Sequence, residues 1–316
     1  MEKRKLKGTD LEVSRVCMGT MTFGGQADEA ASLAMYDYCL EQGVNFFDTA
    51  NAYTGGRSEE ILGRIMKGRR EQIVLASKVG MQGDGLSKAA ITRELEGSLQ
   101  RLQTDYLDIY YMHKPDYDTP IEESLETMAE LIEAGKVRHL ALSNFSSWQV
   151  CRILWLAETK GLPEARITQP MYNLMARGVE PEFMPMCREL GVSTVVYNPL
   201  AGGMLTGKHK GGTPTSGTRF DLMENYQDRY WHEANFAAIE ELNGIADKAG
   251  RSLISLAFGW LFHHTATDCA ILGASRMEQL QENLKLVEDG PLTEETVEAC
   301  DRVWGGLRGI SAQYNR

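Results

Sequence analysis

Short apolar runs alternate along the chain with longer stretches in which apolar positions recur every three or four residues, the first pattern fitting strands and the second amphipathic helices. Eight runs read as strands: VSRVCMG (13–19), VNFFDT (44–49), QIVLASKV (72–79), YLDIYYMH (106–113), VRHLALSN (137–144), RITQPMYN (166–173), STVVYNP (193–199) and DCAILGAS (268–275). Between them, DEAASLAMYDYCLEQG, SEEILGRIMKG, SKAAITRELEGSLQRL, IEESLETMAELIEAGK, SSWQVCRILWLAETKG and PEFMPMCRELG read as helices, several opened by Ser or Asp and closed by Gly. The seventh-to-eighth crossover is different. It begins with LAGGMLTGKHKGGTPTSGTRF, whose Gly, Thr and Lys content reads as a functional loop, and continues with helices at roughly 231–249 and 252–264. One more helix and a polar end follow PLTEET.

Eight βα units leave two architectures, an open doubly wound sheet or a closed barrel. The sheet predicts a GxGxxG turn after an early strand, and the chain has none. The expectation is therefore an α/β fold, a (β/α)8 TIM barrel with an N-terminal β-hairpin and extra C-terminal helices. With 316 residues and no shift in composition, it is expected to form a single domain spanning 1–316.

A barrel also predicts that chemically useful side chains gather at the C-terminal ends of its strands. Asp48 closes the second run and Tyr53 follows in its loop; Lys78 closes the third and His113 the fourth. Taken singly, each has an ordinary explanation: Asp48 as a turn cap, Tyr53 as a surface aromatic, Lys78 as a solvated charge, His113 as a rim histidine. Taken together they suit one chemistry. An ammonium beside a phenol stabilises the phenolate, a carboxylate orients the ammonium, and an imidazole can hydrogen-bond a carbonyl oxygen. The set can protonate a carbonyl oxygen, but nothing in it is a reductant. A cofactor must supply the hydride.

The composition narrows the partners. A formal net charge of -11 repels phosphate backbones and acidic membrane surfaces, so no nucleic acid and no membrane partner is expected. The basic start MEKRKLKGTDLEVSR is not followed by an apolar h-region, and no run is long enough to span a bilayer, which points to a cytoplasmic protein. Six scattered cysteines, with no CxxC, read as free thiols rather than metal ligands, and His263-His264 at a helix end suits the dipole, so no metal is expected. GGMLTGK (202–208) has the spacing of a P-loop, yet His209 stands where the magnesium-binding Ser or Thr is needed, which excludes nucleotide hydrolysis.

With these residues in place, the chain resembles the aldo-keto reductases from RKLKGTDLEVSRVCMGTMTFGG to ILGASRMEQLQENL, most specifically in FFDTANAYTGGRSEEILGR with the spaced Lys78 and His113. The resemblance implies that Tyr53 is the general acid, Lys78 lowers its pKa, Asp48 pairs with Lys78, and His113 orients the substrate carbonyl. It further implies that Ser143, Asn144 and Gln169 grip the nicotinamide carboxamide and that Tyr197 stacks on its ring. Leu200, Gly202 and Lys208 would contact the pyrophosphate, with Arg219 as a clamp. Gly273, Ser275, Arg276, Gln279, Glu282 and Asn283 would hold the adenosine phosphate. A Gly-Ala-Ser turn opening a helix offers backbone N–H groups to an anion, and Arg276 adds a charged fork suited to a 2′-phosphate, which favours NADPH over NADH. The chain departs from the branch of the family that has Lys at the position of Gly273 and Arg at that of Gln279.

The expected activity is NADPH-dependent reduction of a small carbonyl substrate, an aldehyde, sugar or ketone, to the alcohol. A redox-sensing regulatory subunit with low turnover is the alternative, and a metal-assisted barrel enzyme a third class without visible ligands. Phe23, Lys114, MTFGGQADEA, HKPDYDTP, the region of Tyr226, Tyr230 and Trp231, and GLRGISAQYNR are candidate walls of the substrate site.

Overall fold

In a computed structural model, which describes residues 1–81 and 85–310, each of the eight apolar runs contributes one strand to a closed parallel barrel. A short antiparallel hairpin precedes it, β1 (Lys3–Lys5) against β2 (Glu12–Ser14), with Lys3 opposite Ser14. The barrel strands are β3 (Val16–Gly19), β4 (Phe46–Asp48), β5 (Val74–Val79), β6 (Leu107–Met112), β7 (Val137–Ser143), β8 (Ile167–Gln169), β9 (Ser193–Val196) and β10 (Cys269–Gly273). They pair in chain order, and β10 closes on β3 with Ile271 opposite Cys17.

The first apolar run, expected as one strand, is divided between hairpin and barrel. Arg15 is the point of division: its N–H donates to the carbonyl of Glu2, while its own carbonyl accepts from Ala270 of β10. The sixth run is cut to three residues, because Pro170 has no N–H to continue the ladder.

Period-two alternation decides what fills the barrel. Cys17, Phe46, Val74, Ala76, Ile109, Tyr111, Ala141, Ile167, Val195 and Cys269 form one buried cluster. Leu6, Leu11 and Val13 of the hairpin segment belong to that same cluster, and Lys7 N–H donates to the Ser193 hydroxyl at the start of β9 (2.8 Å). The hairpin thus seals the N-terminal mouth, each buried aliphatic side chain contributing about 1.5–3 kcal/mol.

Around that mouth lies a charged clamp. Asp108, 2% exposed, accepts from Arg70 Nη2 (2.7 Å), the backbone N–H of Leu75 (2.9 Å) and Arg138 Nη1 (3.0 Å). The guanidinium carbons of Arg70 and Arg138 lie 4.1 and 4.2 Å from the ring centre of Tyr106.

Contacts divide the chain into two compact units. The first, Met1–Pro170 with Glu182–Val196 and Asp268–Leu280, holds the hairpin, the barrel and helices α1 (Glu29–Glu41), α2 (Arg57–Ile65), α3 (Lys88–Leu102), α4 (Ile121–Glu133), α5 (Ser147–Lys160) and α6 (Phe183–Glu189). Their starts follow local chemistry: Asp28 accepts from Ala31 N–H, Ser87 from Ala90 N–H, and Ser146 with Gln149 makes a capping box.

The second unit is Met171–Pro181, Tyr197–Thr267 and Gln281–Arg316. It carries α7 (Arg219–Leu222), α8 (Glu224–Tyr230), α9 (Glu233–Lys248), α10 (Leu253–His263), most of α11 (Met277–Val287) and α12 (Glu294–Arg308). The pair α9 and α10 matches the two expected crossover helices. The short α7 and α8 were not legible, since they rest on an aromatic knot rather than on periodicity. Phe220 sits at its centre, with ring centres of His209, Trp231, Tyr226 and Tyr230 at 4.9, 5.0, 6.5 and 6.5 Å.

Asp108→Ala is expected to destabilise the chain by about 3–5 kcal/mol, because it leaves the mostly buried Arg70 cation without its carboxylate partner and the Leu75 N–H without its Asp108 acceptor. A guanidinium unfolding curve would show the loss as a lower midpoint; an unchanged midpoint would contradict the clamp.

Candidate active site

The interior register of the strands carries over to their last residues. Asp48 is two residues after Phe46, Lys78 two after Ala76, His113 two after Tyr111, Ser143 two after Ala141 and Gln169 two after Ile167. Each position therefore continues the face that fills the barrel, at the C-terminal rim.

Lys78 is fully buried, and its three donor hydrogens have three acceptors: a carboxylate oxygen of Asp48, the carbonyl of Thr49 (2.7 Å) and the hydroxyl of Tyr53 (3.1 Å). The other carboxylate oxygen of Asp48 accepts from Gln169 Nε2 at 2.9 Å. Asp48 caps no turn; its side chain is given to this pair. Burial pulls the Lys78 pKa down, but the charges of Asp48 and Tyr53 and the hydrogen bonds to them outweigh it, so the net shift is upward and the ammonium persists.

Tyr53 is only half-buried, so the chain presents a reachable phenol backed by a hidden cation. The loop that carries it turns sharply, with positive φ at Thr54 (48°), Gly55 (68°) and Gly56 (92°), the last two being conformations that glycine adopts without strain. The loop is pinned to α2 by hydroxyls: Ser58 Oγ lies 2.8 Å from Thr20 Oγ1 and 2.9 Å from Thr49 Oγ1. Glu59, also buried, accepts from Ser77 (2.5 Å) and Arg101 (2.7 Å).

His113 stands edge-on to Tyr53, ring centres 6.1 Å apart at 76°. Burial first, then the ammonium groups of Lys78 and Lys114, push its pKa down to about 3, so the imidazole is neutral at physiological pH. Its Nδ1 is buried and has no hydrogen-bond partner among the described residues. A neutral ring with unspent capacity suits a carbonyl oxygen as its partner.

Ser143 and Asn144 do not cap α5; Ser146 does. Ser143 Oγ donates to the carbonyl of Gln169 (3.0 Å), and Asn144, at φ 63°, donates from Nδ2 to the carbonyl of His113 (2.8 Å). Also in the first unit, Gly273 ends β10, and Ser275 opens α11, donating from its N–H and Oγ to Gln279 Oε1, both at 3.0 Å. Arg276 is exposed, and among the described residues no carboxylate is ion-paired with it.

In the second unit, Tyr197 is half-buried and its carbonyl accepts from Tyr172 N–H. Leu200 precedes a 3₁₀ segment, Ala201–Thr206, within which Gly202 has φ 69°; a Cβ there would lie 2.7 Å from the Tyr226 ring, so the close approach requires glycine. Lys208 is exposed, and Arg219 lies over the Tyr226 ring at 5.1 Å. Glu282 is exposed and Asn283 buried in α11.

Several expected walls turn inward. Phe23 is fully buried, and Tyr226 and Tyr230 are 6% and 2% exposed, bonded to Asn198 and Asn173, so none of the three offers an open face. Lys114 is exposed. Of GLRGISAQYNR, residues 311–316 lie outside the described residues. Sequence reasoning missed the Thr49 carbonyl, which no side-chain pattern could reveal, and the bond from Gln169 to Asp48, which joins residues 121 positions apart. Among the described residues no cluster of His, Cys, Asp and Glu is placed to hold a metal ion, and no helix is long and apolar enough to cross a membrane.

Known proteins resemble the chain along most of its length. A sequence model of the Aldo/keto reductase family matches residues 15–305. Aflatoxin B1 aldehyde reductase member 2 of Rattus norvegicus is 38% identical, over 99% of this chain and 90% of its own. Aldo-keto reductase family 7 member A3 of Homo sapiens is 35% identical over 91% of this chain and 92% of its own. A probable voltage-gated potassium channel subunit beta of Arabidopsis thaliana is 36% identical over 92% and 93%. With the barrel and the family match in agreement, the chain belongs to the aldo/keto reductase family of NAD(P)H-dependent oxidoreductases.

Proposed function

We propose that the chain reduces a small aldehyde or ketone to the alcohol, with NADPH as the cofactor and Tyr53 as proton donor. The observation that carries this reading is the buried Lys78 ammonium, backed by Asp48, donating to a half-exposed phenol. The bound nicotinamide supplies the hydride. Tyr53 gives its proton to the carbonyl oxygen, and the ammonium beside it favours the phenolate left behind. His113, neutral, hydrogen-bonds the carbonyl oxygen and holds it near the phenol. Asp48 keeps the ammonium aimed at Tyr53.

For the cofactor, Ser143, Asn144 and Gln169 take the carboxamide and Tyr197 the ring face. Leu200, Gly202, Lys208 and Arg219 take the pyrophosphate, and Gly273, Ser275, Arg276, Gln279, Glu282 and Asn283 the adenosine phosphate. Arg276 supports NADPH over NADH: a charged guanidinium with no carboxylate partner among the described residues, at the start of α11, suits a 2′-phosphate. The relatives named as aldehyde reductases support an aldehyde as substrate. The relatives named as potassium channel subunits support a second reading, a cofactor-binding regulatory subunit with low turnover. Turnover against a broad aldehyde panel separates the two.

Tyr53→Phe is expected to bind NADPH within about threefold of the parent while turnover falls by roughly 10²–10⁴. Unchanged turnover would remove Tyr53 as the acid. Arg276→Ala is expected to weaken NADPH by about tenfold or more and leave NADH unchanged, read by quenching of tryptophan fluorescence. Equal losses for both cofactors would place the 2′-phosphate elsewhere.

The neutral His113 has a stability signature. Unfolded, the ring takes a proton near its ordinary 6.5; folded, only near about 3. Between those values the unfolded chain binds the extra proton, so this group lowers stability as pH falls below 6.5, by about 1.4 kcal/mol per pH unit. Guanidinium unfolding at pH 7 and pH 5 should show a smaller loss in His113→Gln than in the parent. Equal losses would mean that the imidazole is not held neutral.

A further inference from the structure

The hydrogen bond from Gln169 Nε2 to Asp48 crosses from β8 to β4, joining a residue placed at the carboxamide to the carboxylate behind the proton donor. Asp48 is 1% exposed and carries a charge, so each of its oxygens needs a donor. One oxygen has Lys78; among the described residues, Gln169 is the only donor to the other. The remaining titratable neighbours bring no proton to it. Cys17 on β3 and Tyr111 on β6 are held neutral by burial first and by the Asp48 charge next, and the Tyr111 hydroxyl, which neighbours the Gln169 side chain, makes no hydrogen bond to Asp48 among the described residues. Tyr53 faces Lys78 and His113.

We propose that Gln169 is a positioning residue for the proton donor, holding one carboxylate oxygen of Asp48 so that the other aims Lys78 at Tyr53. This rests on the carbonyl-reductase reading and adds a second role to a residue otherwise placed at the cofactor. The amide shares the negative charge of Asp48. Without it, Asp48 neutralises more of the Lys78 ammonium, the phenolate of Tyr53 is less favoured, and the phenol ionises at higher pH. Because reduction uses the protonated phenol, the alkaline limb of the pH profile moves upward while the rate on its plateau falls. A glutamate at the same position behaves conditionally. Protonated, it donates to Asp48 as the amide does; ionised, it faces a second carboxylate and repels it.

The test compares the parent, Gln169→Leu and Gln169→Glu in aldehyde turnover against pH and in NADPH affinity. In Gln169→Leu, kcat should fall by about tenfold or more and the alkaline limb rise by about 0.5 pH unit or more, beyond any change in Kd for NADPH. Gln169→Glu should approach the parent rate at acid pH and lose it through a new limb that neither the parent nor Gln169→Leu shows. The cofactor-free proteins give an independent reading. Tyrosinate absorbance near 295 nm, taken as the difference between each protein and its Tyr53→Phe counterpart, should titrate at higher pH in Gln169→Leu. A Gln169→Leu protein with weaker NADPH binding but the parent's kcat, alkaline limb and tyrosinate titration would overturn the proposal. So would a Gln169→Glu protein that tracks Gln169→Leu at every pH; should the leucine variant fail to fold, the glutamate limb alone decides. If the parent itself neither binds NADPH nor reduces aldehydes, the reductase reading fails, and the cofactor-free titration still measures the coupling.

Discussion

The ion pair of Lys78 and Asp48 lies almost wholly out of water, with side chains 0% and 2% exposed, and the upper half of the barrel is arranged around it. Removing two charges from solvent costs several kcal/mol per ion, and their attraction offsets this only when every remaining hydrogen-bonding site is also filled. Here they are filled: Thr49 and Tyr53 take the other two hydrogens of the ammonium, and Gln169 occupies the second carboxylate oxygen. Well-packed apolar side chains would hold a barrel at least as well. A buried pair that ends on a half-exposed phenol is therefore better explained by what it does to the phenol than by what it adds to stability.

The two ends of the barrel divide this labour. At the N-terminal mouth, Leu6, Leu11 and Val13 plug the interior and Asp108 ties β5 and β6 to two arginines, with each bond spent on structure. At the C-terminal rim the interior register continues, but its positions pass from Phe46, Ala76, Tyr111 and Ile167 to Asp48, Lys78, His113 and Gln169. The same alternation that packs the core thus delivers polar groups to one face. It also explains the neutral imidazole, since His113 arrives with too little water and too many cations around it to hold a proton.

Much of this was legible in the sequence because period-two alternation and strand ends are local signals. The eight strands, the helices between them and the four rim residues are all written in runs of a few residues. The order in which β10 closes on β3 follows once eight βα units are counted. What was not legible depends on distant partners. Arg15 divides the first run because Glu2 and Ala270 claim its two backbone groups, and nothing within VSRVCMG announces it. The helices α7 and α8 form around Phe220, whose neighbours lie as far away as His209 and Trp231. Phe23 looked like a wall because aromatic loop residues often are; its burial is a tertiary fact.

The net charge sets a last constraint on the proposed chemistry. At -11 the chain as a whole repels an anion such as NADPH, yet screening confines each surface charge to about 8 Å at physiological ionic strength. Distant carboxylates therefore count for little, and affinity has to come from donors in direct reach of the phosphates. In the proposed function Arg276 takes that part: a guanidinium is a strong, planar cation, and among the described residues no acid is paired with it. Lys78 cannot serve the same purpose, because its charge is already spent on Asp48 and on the phenol. On the proposed reading the two cations have separate tasks, one exposed for an anionic ligand and one hidden for a proton transfer. Exchanging their environments would disable both: an exposed Lys78 would be screened from Tyr53, and a buried Arg276 would be closed to a phosphate.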